Sequence, residues 1–114
     1  MRSAFEKLIA ERRDELDVRL VAVESRLDSI RADRSAATDD DEHDPEGSTL
    51  STEWSRAEGQ RADATRELAE LDAAFERLSA GTYGVCVSCG NAIPLERLRL
   101  LPAATLCVPC ASRR

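Results

Sequence analysis

Apolar residues recur along the first third of the chain at helical spacing. Ile9, Leu16, Leu20, Val23, Leu27 and Ile30 are separated, from Leu16 onward, by alternating steps of four and three residues. That alternation puts them on one stripe of an α-helix and is the repeat of a coiled-coil seam. No glycine or proline interrupts residues 3–37, so one long helix is predicted there. A second seam runs through Leu50, Trp54, Ala57, Arg61, Ala64, Leu68, Leu71, Phe75 and Leu78 with the same alternation. Each predicted helix is apolar along one stripe and charged elsewhere, so neither is stable alone in water, and the two are expected to pair. The polar stretch 38–48 between them contains Pro45 and Gly47 and is short enough to reverse the chain, giving an antiparallel helical hairpin. Asp44 or Ser48 is a candidate cap for the second helix, and Gly81 with Gly84 ends it. Arms of about 33 residues at about 1.5 Å per residue would each extend on the order of 50 Å.

Three seam positions are not simply apolar. In a hairpin centred near residue 44, Arg61 falls close to Leu27 and Glu24. It reads either as a buried polar register marker or as an arginine whose stem packs while its head reaches solvent or Glu24. Arg13, facing Phe75, has the same two readings. Trp54, the single tryptophan, is expected near the turn against Arg34 or Ile30, as core or as a contact for a partner.

The last third changes character. All four cysteines stand in two Cys-x-x-Cys pairs, Cys86/Cys89 and Cys107/Cys110, with 17 residues between the pairs. Each pair can turn both sulfurs to one side of a tight knuckle, and two knuckles supply the four thiolates that one tetrahedral Zn(II) ion prefers. Gly84 and Gly90 flank the first knuckle, where the backbone must curl. Pro102 and Pro109 stiffen the second. Between the pairs, Pro94 followed by residues 95–100 reads as a short helix with proline in its first turn. Four protein ligands close the site, which makes the metal structural. Two disulfides, an iron site or a redox pair remain alternatives. Disulfides would require an oxidising compartment. Residues 1–13, with Glu6, Lys7, Glu11, Arg12 and Arg13, offer no uninterrupted apolar stretch for a secretory signal or membrane span, so a reduced, cytoplasmic protein is expected.

Composition narrows the function classes. The 114 residues are 33% charged and only 4% aromatic, which argues for an elongated shape without a thick core. The formal net charge is −6, and four thiolates around Zn(II) add about −4 + 2 = −2. This balance disfavours direct, sequence-specific DNA binding, which needs basic residues to displace phosphate counterions. The predicted turn is sharply acidic, with six carboxylates among residues 39–46 and no lysine or arginine between Arg34 and Arg56. Close like charges repel by about 1 kcal/mol per pair even in water. The turn is therefore either a solvated cap or an acidic probe for a basic channel or a divalent ion. His43 is the only histidine, no phosphate loop or nucleophile elbow is present, and Tyr83 is expected to pack on the metal knob. The chain is not expected to be an enzyme.

The segment Gly-Thr-Tyr-Gly-Val-Cys at 81–86, Ile93-Pro94 with Arg97-Leu98, and Pro102 leading to Cys107 resemble the DksA/TraR C4-type zinc finger family, and the hairpin agrees in length and placement. The resemblance implies a mainly α fold. An antiparallel coiled-coil hairpin occupies 1–80 with an acidic tip at 38–48, and a C4 finger knob with a short helix occupies 81–114. It implies one Zn(II) held by Cys86, Cys89, Cys107 and Cys110. It also implies a transcription regulator that binds bacterial RNA polymerase, not DNA or membrane, and inserts its tip through the secondary channel toward the active-site magnesium. Asp41, Asp44 and Glu46 would be the working tip residues. Family members carry Asp-x-x-Asp-x-Ala at the tip; ungapped counting places His43, Glu46 and Ser48 there, and a shift of one aligns Asp44 but brings Gly47 to the second acidic position. The basic positions that bind the alarmone ppGpp in longer members fall on Glu70 and Leu101, so no such site is expected. Only residues 111–114 follow the last cysteine, so the C-terminal helix of longer members is not expected. Two other functions fit the same features: Gre-like assistance of transcript cleavage by tip carboxylates holding magnesium, and a zinc-stabilised coiled-coil adaptor.

Overall fold

In the computed structural model the backbone is described for residues 2–37 and 45–113, and side chains for residues 2–36 and 49–113. Among the described residues four helices follow one another: α1, Arg2–Ala37; α2, Pro45–Ala80; α3, Leu95–Leu100; and α4, Val108–Ser112. The expected hairpin, short helix and knob are present, and the described residues contain no strand beyond a single antiparallel bridge between Val85 and Ala92. α2 begins at Pro45, where a missing N–H and a fixed φ suit a first helical turn. It starts before Ser48, which therefore is not its cap; Asp44 lies outside the described residues. α2 ends as expected at Gly81, whose φ of 82° lies in the region glycine enters without Cβ strain. Thr82 N–H donates to the Arg77 carbonyl at 2.9 Å and Gly81 N–H to Leu78 at 3.3 Å. This is the paired closure that satisfies the last carbonyls of a helix.

Two compact units divide the chain, one formed by Leu16–Arg66 and the other by Met1–Glu15 with Glu67–Arg114. Inside the Leu16–Arg66 unit the helices pair along the seam read from sequence. Leu16, Leu27, Ile30, Ala57 and Ala64 are buried, and Leu20, Val23, Leu50 and Trp54 are half-buried. Arg61 is half-buried as well. Its head pairs with Glu58 at 3.2 Å and feels the charge of Glu24, so the stem packs and the charge stays at the surface. Trp54 meets Arg31, whose guanidinium lies 5.4 Å from the ring centre. Arg34 donates to Ser51 Oγ at 2.9 Å.

In the other unit the buried positions differ from the heptad reading. α2 buries Leu71, Ala74 and Leu78 there, and Phe75 is 47% exposed. α1 buries Phe5 and Ile9. Its Arg12 turns inward, and Arg13 is exposed. Arg12 meets Glu67 through two bonds, Nε to Oε2 at 2.6 Å and Nη2 to Oε1 at 3.0 Å, the bidentate geometry in which guanidinium–carboxylate pairs are strongest. Arg13 pairs with Asp72 at 2.9 Å. On each helix one inward position has moved by one residue, from Arg13 to Arg12 and from Phe75 to Ala74, while Ile9, Leu16, Leu71 and Leu78 keep their seam places. A helix of 3.6 residues per turn drifts by about 20° per heptad against a 3.5-residue repeat. The inward positions here also have the finger to pack against: Phe5 lies with its ring centre 5.3 Å from that of Tyr83.

Candidate metal centre

The knob is built by backbone turns that aim sulfur atoms at one point. Gly84 and Gly90 take φ of 83° and 77°, as the curl of the first knuckle requires. The bonds Ile93 N–H to Gly84 O and Cys86 N–H to Asn91 O, both 2.8 Å, with Gly90 N–H to Cys86 O at 2.9 Å, close that knuckle into a small loop. Val87 N–H reaches across to the Thr105 carbonyl at 2.9 Å and ties it to the second cysteine segment. There Cys107 precedes α4, Pro109 lies in its first turn, and Ala111 N–H returns to the Cys107 carbonyl at 2.9 Å. α3 is preceded by Pro94 and fixes the second knuckle through Arg97, whose Nε donates to the Leu106 carbonyl at 2.9 Å. Tyr83 packs on the knob as expected, its hydroxyl donating to the Pro102 carbonyl at 2.7 Å.

The four sulfurs of Cys86, Cys89, Cys107 and Cys110 all lie within 4.8 Å of one another. Cys86, Cys107 and Cys110 are buried and Cys89 is exposed. A regular tetrahedron with metal–sulfur bonds of about 2.3 Å has sulfur–sulfur edges of about 3.8 Å, and the Cys89–Cys107 pair stands at 3.7 Å. A disulfide requires about 2.05 Å, and all four thiols are free. The Cys86 thiol is held down at about 6, first by the backbone N–H of Cys107 and then by those of Cys89 and Ser88. Cys110 is pushed up to about 12, first by its hydrogen bond with Cys107, while the Ser88 hydroxyl acts the other way. Four sulfurs this close cannot all be anionic unless a cation stands among them, and a divalent ion supplies that charge. The donor set fits one Zn(II) with no position left for substrate or water, so its contribution is folding free energy.

Sequence reasoning passed over Ser88, which acts on the sulfurs from inside the first knuckle, and Phe5, the aromatic partner of Tyr83. A polar residue within Cys-x-x-Cys and an apolar residue four positions before Ile9 were the available signals. Of the predicted tip residues, Asp41 and Asp44 lie outside the described residues. Glu46 has its backbone in α2, and its side chain lies outside the described set. No helix among the described residues is long and apolar enough to cross a membrane.

Fold and site together define a helical hairpin carrying a closed, four-cysteine zinc finger. Residues 81–114 match the model of the prokaryotic dksA/traR C4-type zinc finger. The solved structure of transcription factor DksA2 from Pseudomonas aeruginosa resembles the chain with a TM-score of 0.79 and 26% identity, over 98% of this chain and 81% of that one. The finger of this chain is thus of the dksA/traR C4 type, and the chain as a whole is similar in fold to a solved DksA protein. Shorter matches are an uncharacterized Aquifex aeolicus (strain VF5) protein, 46% identical over 44 residues, and general stress protein 16O of Bacillus subtilis (strain 168), 44% identical over 41 residues. These segments are 39% and 36% of this chain and cover 30% and 25% of the two proteins' own lengths.

Proposed function

We propose that this chain is a cytoplasmic transcription regulator that binds bacterial RNA polymerase and presents its acidic turn, with Asp41, Asp44 and Glu46, to the active-site region through the secondary channel. The likeness of nearly the whole chain to a solved transcription factor carries this reading. Cys86, Cys89, Cys107 and Cys110 hold one structural zinc, residues 81–114 form the finger, and residues 1–80 form the hairpin that bears the turn. An excess of carboxylates that is self-repelling in isolation becomes favourable beside a basic channel wall or bound magnesium. A net charge of −6 fits a protein surface rather than DNA. In this reading the chain performs no chemistry of its own. It also lacks the ppGpp site of longer relatives. Glu70, which stands where those relatives carry a basic residue, lines a cleft of about 490 Å³ together with Arg77 and Arg97.

The test is a photo-reactive residue at position 41 of the zinc-loaded protein, cross-linked to purified polymerase and mapped by mass spectrometry. Adducts on residues lining the secondary channel are expected. Adducts elsewhere, or no retention of the intact protein by polymerase, would overturn the proposal.

A further inference from the structure

Toward the turn the paired helices run out of buried apolar residues. Leu27, Ile30 and Ala57 are buried. None of residues 31–36 is, and across 49–56 Leu50 and Trp54 reach only half-burial. From Ile30 to the end of α1 is about 10 Å of helix at about 1.5 Å per residue. Over that length the helices are bridged by contacts of another kind. Arg31 lies over the Trp54 ring at 5.4 Å, and Arg34 Nη2 donates to Ser51 Oγ at 2.9 Å. The second contact is three residues further along α1 and three residues back along α2, so the two are successive rungs on one face of the pair. Asp28 stands 3.6 Å from Arg31 and helps hold the guanidinium in place from its own helix. Both rungs use planar guanidinium groups, which stack on aromatic rings and bond directionally, so they resist sliding of one helix past the other in a way that a lone apolar contact does not.

We propose that Arg31–Trp54 and Arg34–Ser51 are positioning contacts: they lock the register of the two helices over residues 31–37 and 49–56, which flank the acidic segment in the chain. The structural half of this inference stands on the contacts alone; its consequence for transcription rests on the polymerase reading above. Arg31 and Arg34 are also the basic residues nearest the turn on the α1 side, since none follows before Arg56. A loss of charge must therefore be separated from a loss of register.

The experiment compares the zinc-loaded full chain with R31Q/R34Q and with R19Q/R26Q, which removes the same charge from exposed positions of α1. Hydrogen exchange of backbone amides is the first readout. In R31Q/R34Q, amides 31–37 and 49–56 are expected to exchange about tenfold faster, the scale of losing two weak cross-helix contacts, with amides 16–30 and 57–66 unchanged. R19Q/R26Q is expected to leave all four segments unchanged. Equal exchange in the two variants, or faster exchange throughout the Leu16–Arg66 unit, overturns the register lock.

The second readout is binding to polymerase set against the effect on promoter-complex lifetime. R31Q/R34Q is expected to keep its affinity within about twofold and to lose the lifetime effect by about tenfold, with R31K restoring part of it. Loosened amides with an unchanged lifetime effect would overturn the positioning role. If the wild-type chain fails to bind polymerase, the partner reading falls and the exchange data alone decide the lock.

Discussion

Replacing Phe75 by alanine should cost the protein little, although the heptad pattern places it in the seam. Full burial of such a side chain is worth about 1.5–3 kcal/mol. At 47% exposure roughly half of that is realised, about 1 kcal/mol, and the better helix propensity of alanine offsets about 0.5 kcal/mol of it. Water fills the space left behind, so no cavity is created. Leu71 lies one turn away in the same unit and is 0% exposed; truncating it to alanine should cost about 2–5 kcal/mol, because a lost transfer term and a cavity add. Ala74, also 0% exposed, should not tolerate aspartate, whereas Phe75→Asp should be mild. The assay is urea unfolding of zinc-loaded variants followed by far-ultraviolet circular dichroism, with the slope checked for constancy so that midpoints compare stabilities. If Phe75→Ala destabilised as much as Leu71→Ala, the inward place of Ala74 would be wrong and the plain heptad would hold.

Serine at Cys110, or removal of zinc by a chelator, should abolish metal binding and unfold the finger, since structural zinc contributes about 10–16 kcal/mol of apparent free energy near neutral pH; metal analysis should fall to zero while part of the hairpin helicity persists. Gly84→Ala should destabilise by about 1–2 kcal/mol, because the residue sits at φ +83° and the new Cβ would lie 3.4 Å from Leu98 Cδ1. Gly59→Ala should do the reverse by up to about 1 kcal/mol, being helical with nothing within 4 Å of its Cβ position; thermal melts of the two variants should move in opposite directions. The Tyr83 phenol is raised above its usual range by burial, partly countered by the charge of Arg77. The neutral form is thus favoured in the folded state, so its contribution is complete below the unfolded pKa of about 10 and lost as pH rises through the folded value. Since Tyr83 is the single tyrosine, its phenolate absorbance should appear at higher pH in the folded protein than in a urea-unfolded control.

The finger was legible in the sequence because its determinants are local and discrete. Four sulfurs at fixed spacing, glycines where φ must be positive, and a proline before a short helix each constrain the chain within a few residues, and the metal's geometry joins them without reference to distant packing. The hairpin was legible for a different reason: 36-residue helices, each apolar along a single stripe, must bury that stripe, and over most of their length the partner is the other helix. What the pattern did not contain was which neighbouring stripe faces inward beside the finger. Arg12 and Glu67 look like surface residues and Phe75 like core. The inward position of the first two follows from their pairing across the helices, and the outward position of Phe75 from the packing of the small Ala74 in its place. A periodicity averaged along a helix favours large apolar residues over small or paired charged ones, so it misplaces a seam position where a bidentate ion pair, or an alanine next to a large apolar residue, takes the interface. The same blindness extends to the rungs near the turn: Arg31, Arg34 and Ser51 carry no apolar signal, yet they bridge the helices over the last turns before the acidic segment. Whether those turns hold a fixed register or fray depends on these contacts, because the fully buried apolar residues stop at Ile30 and Ala57.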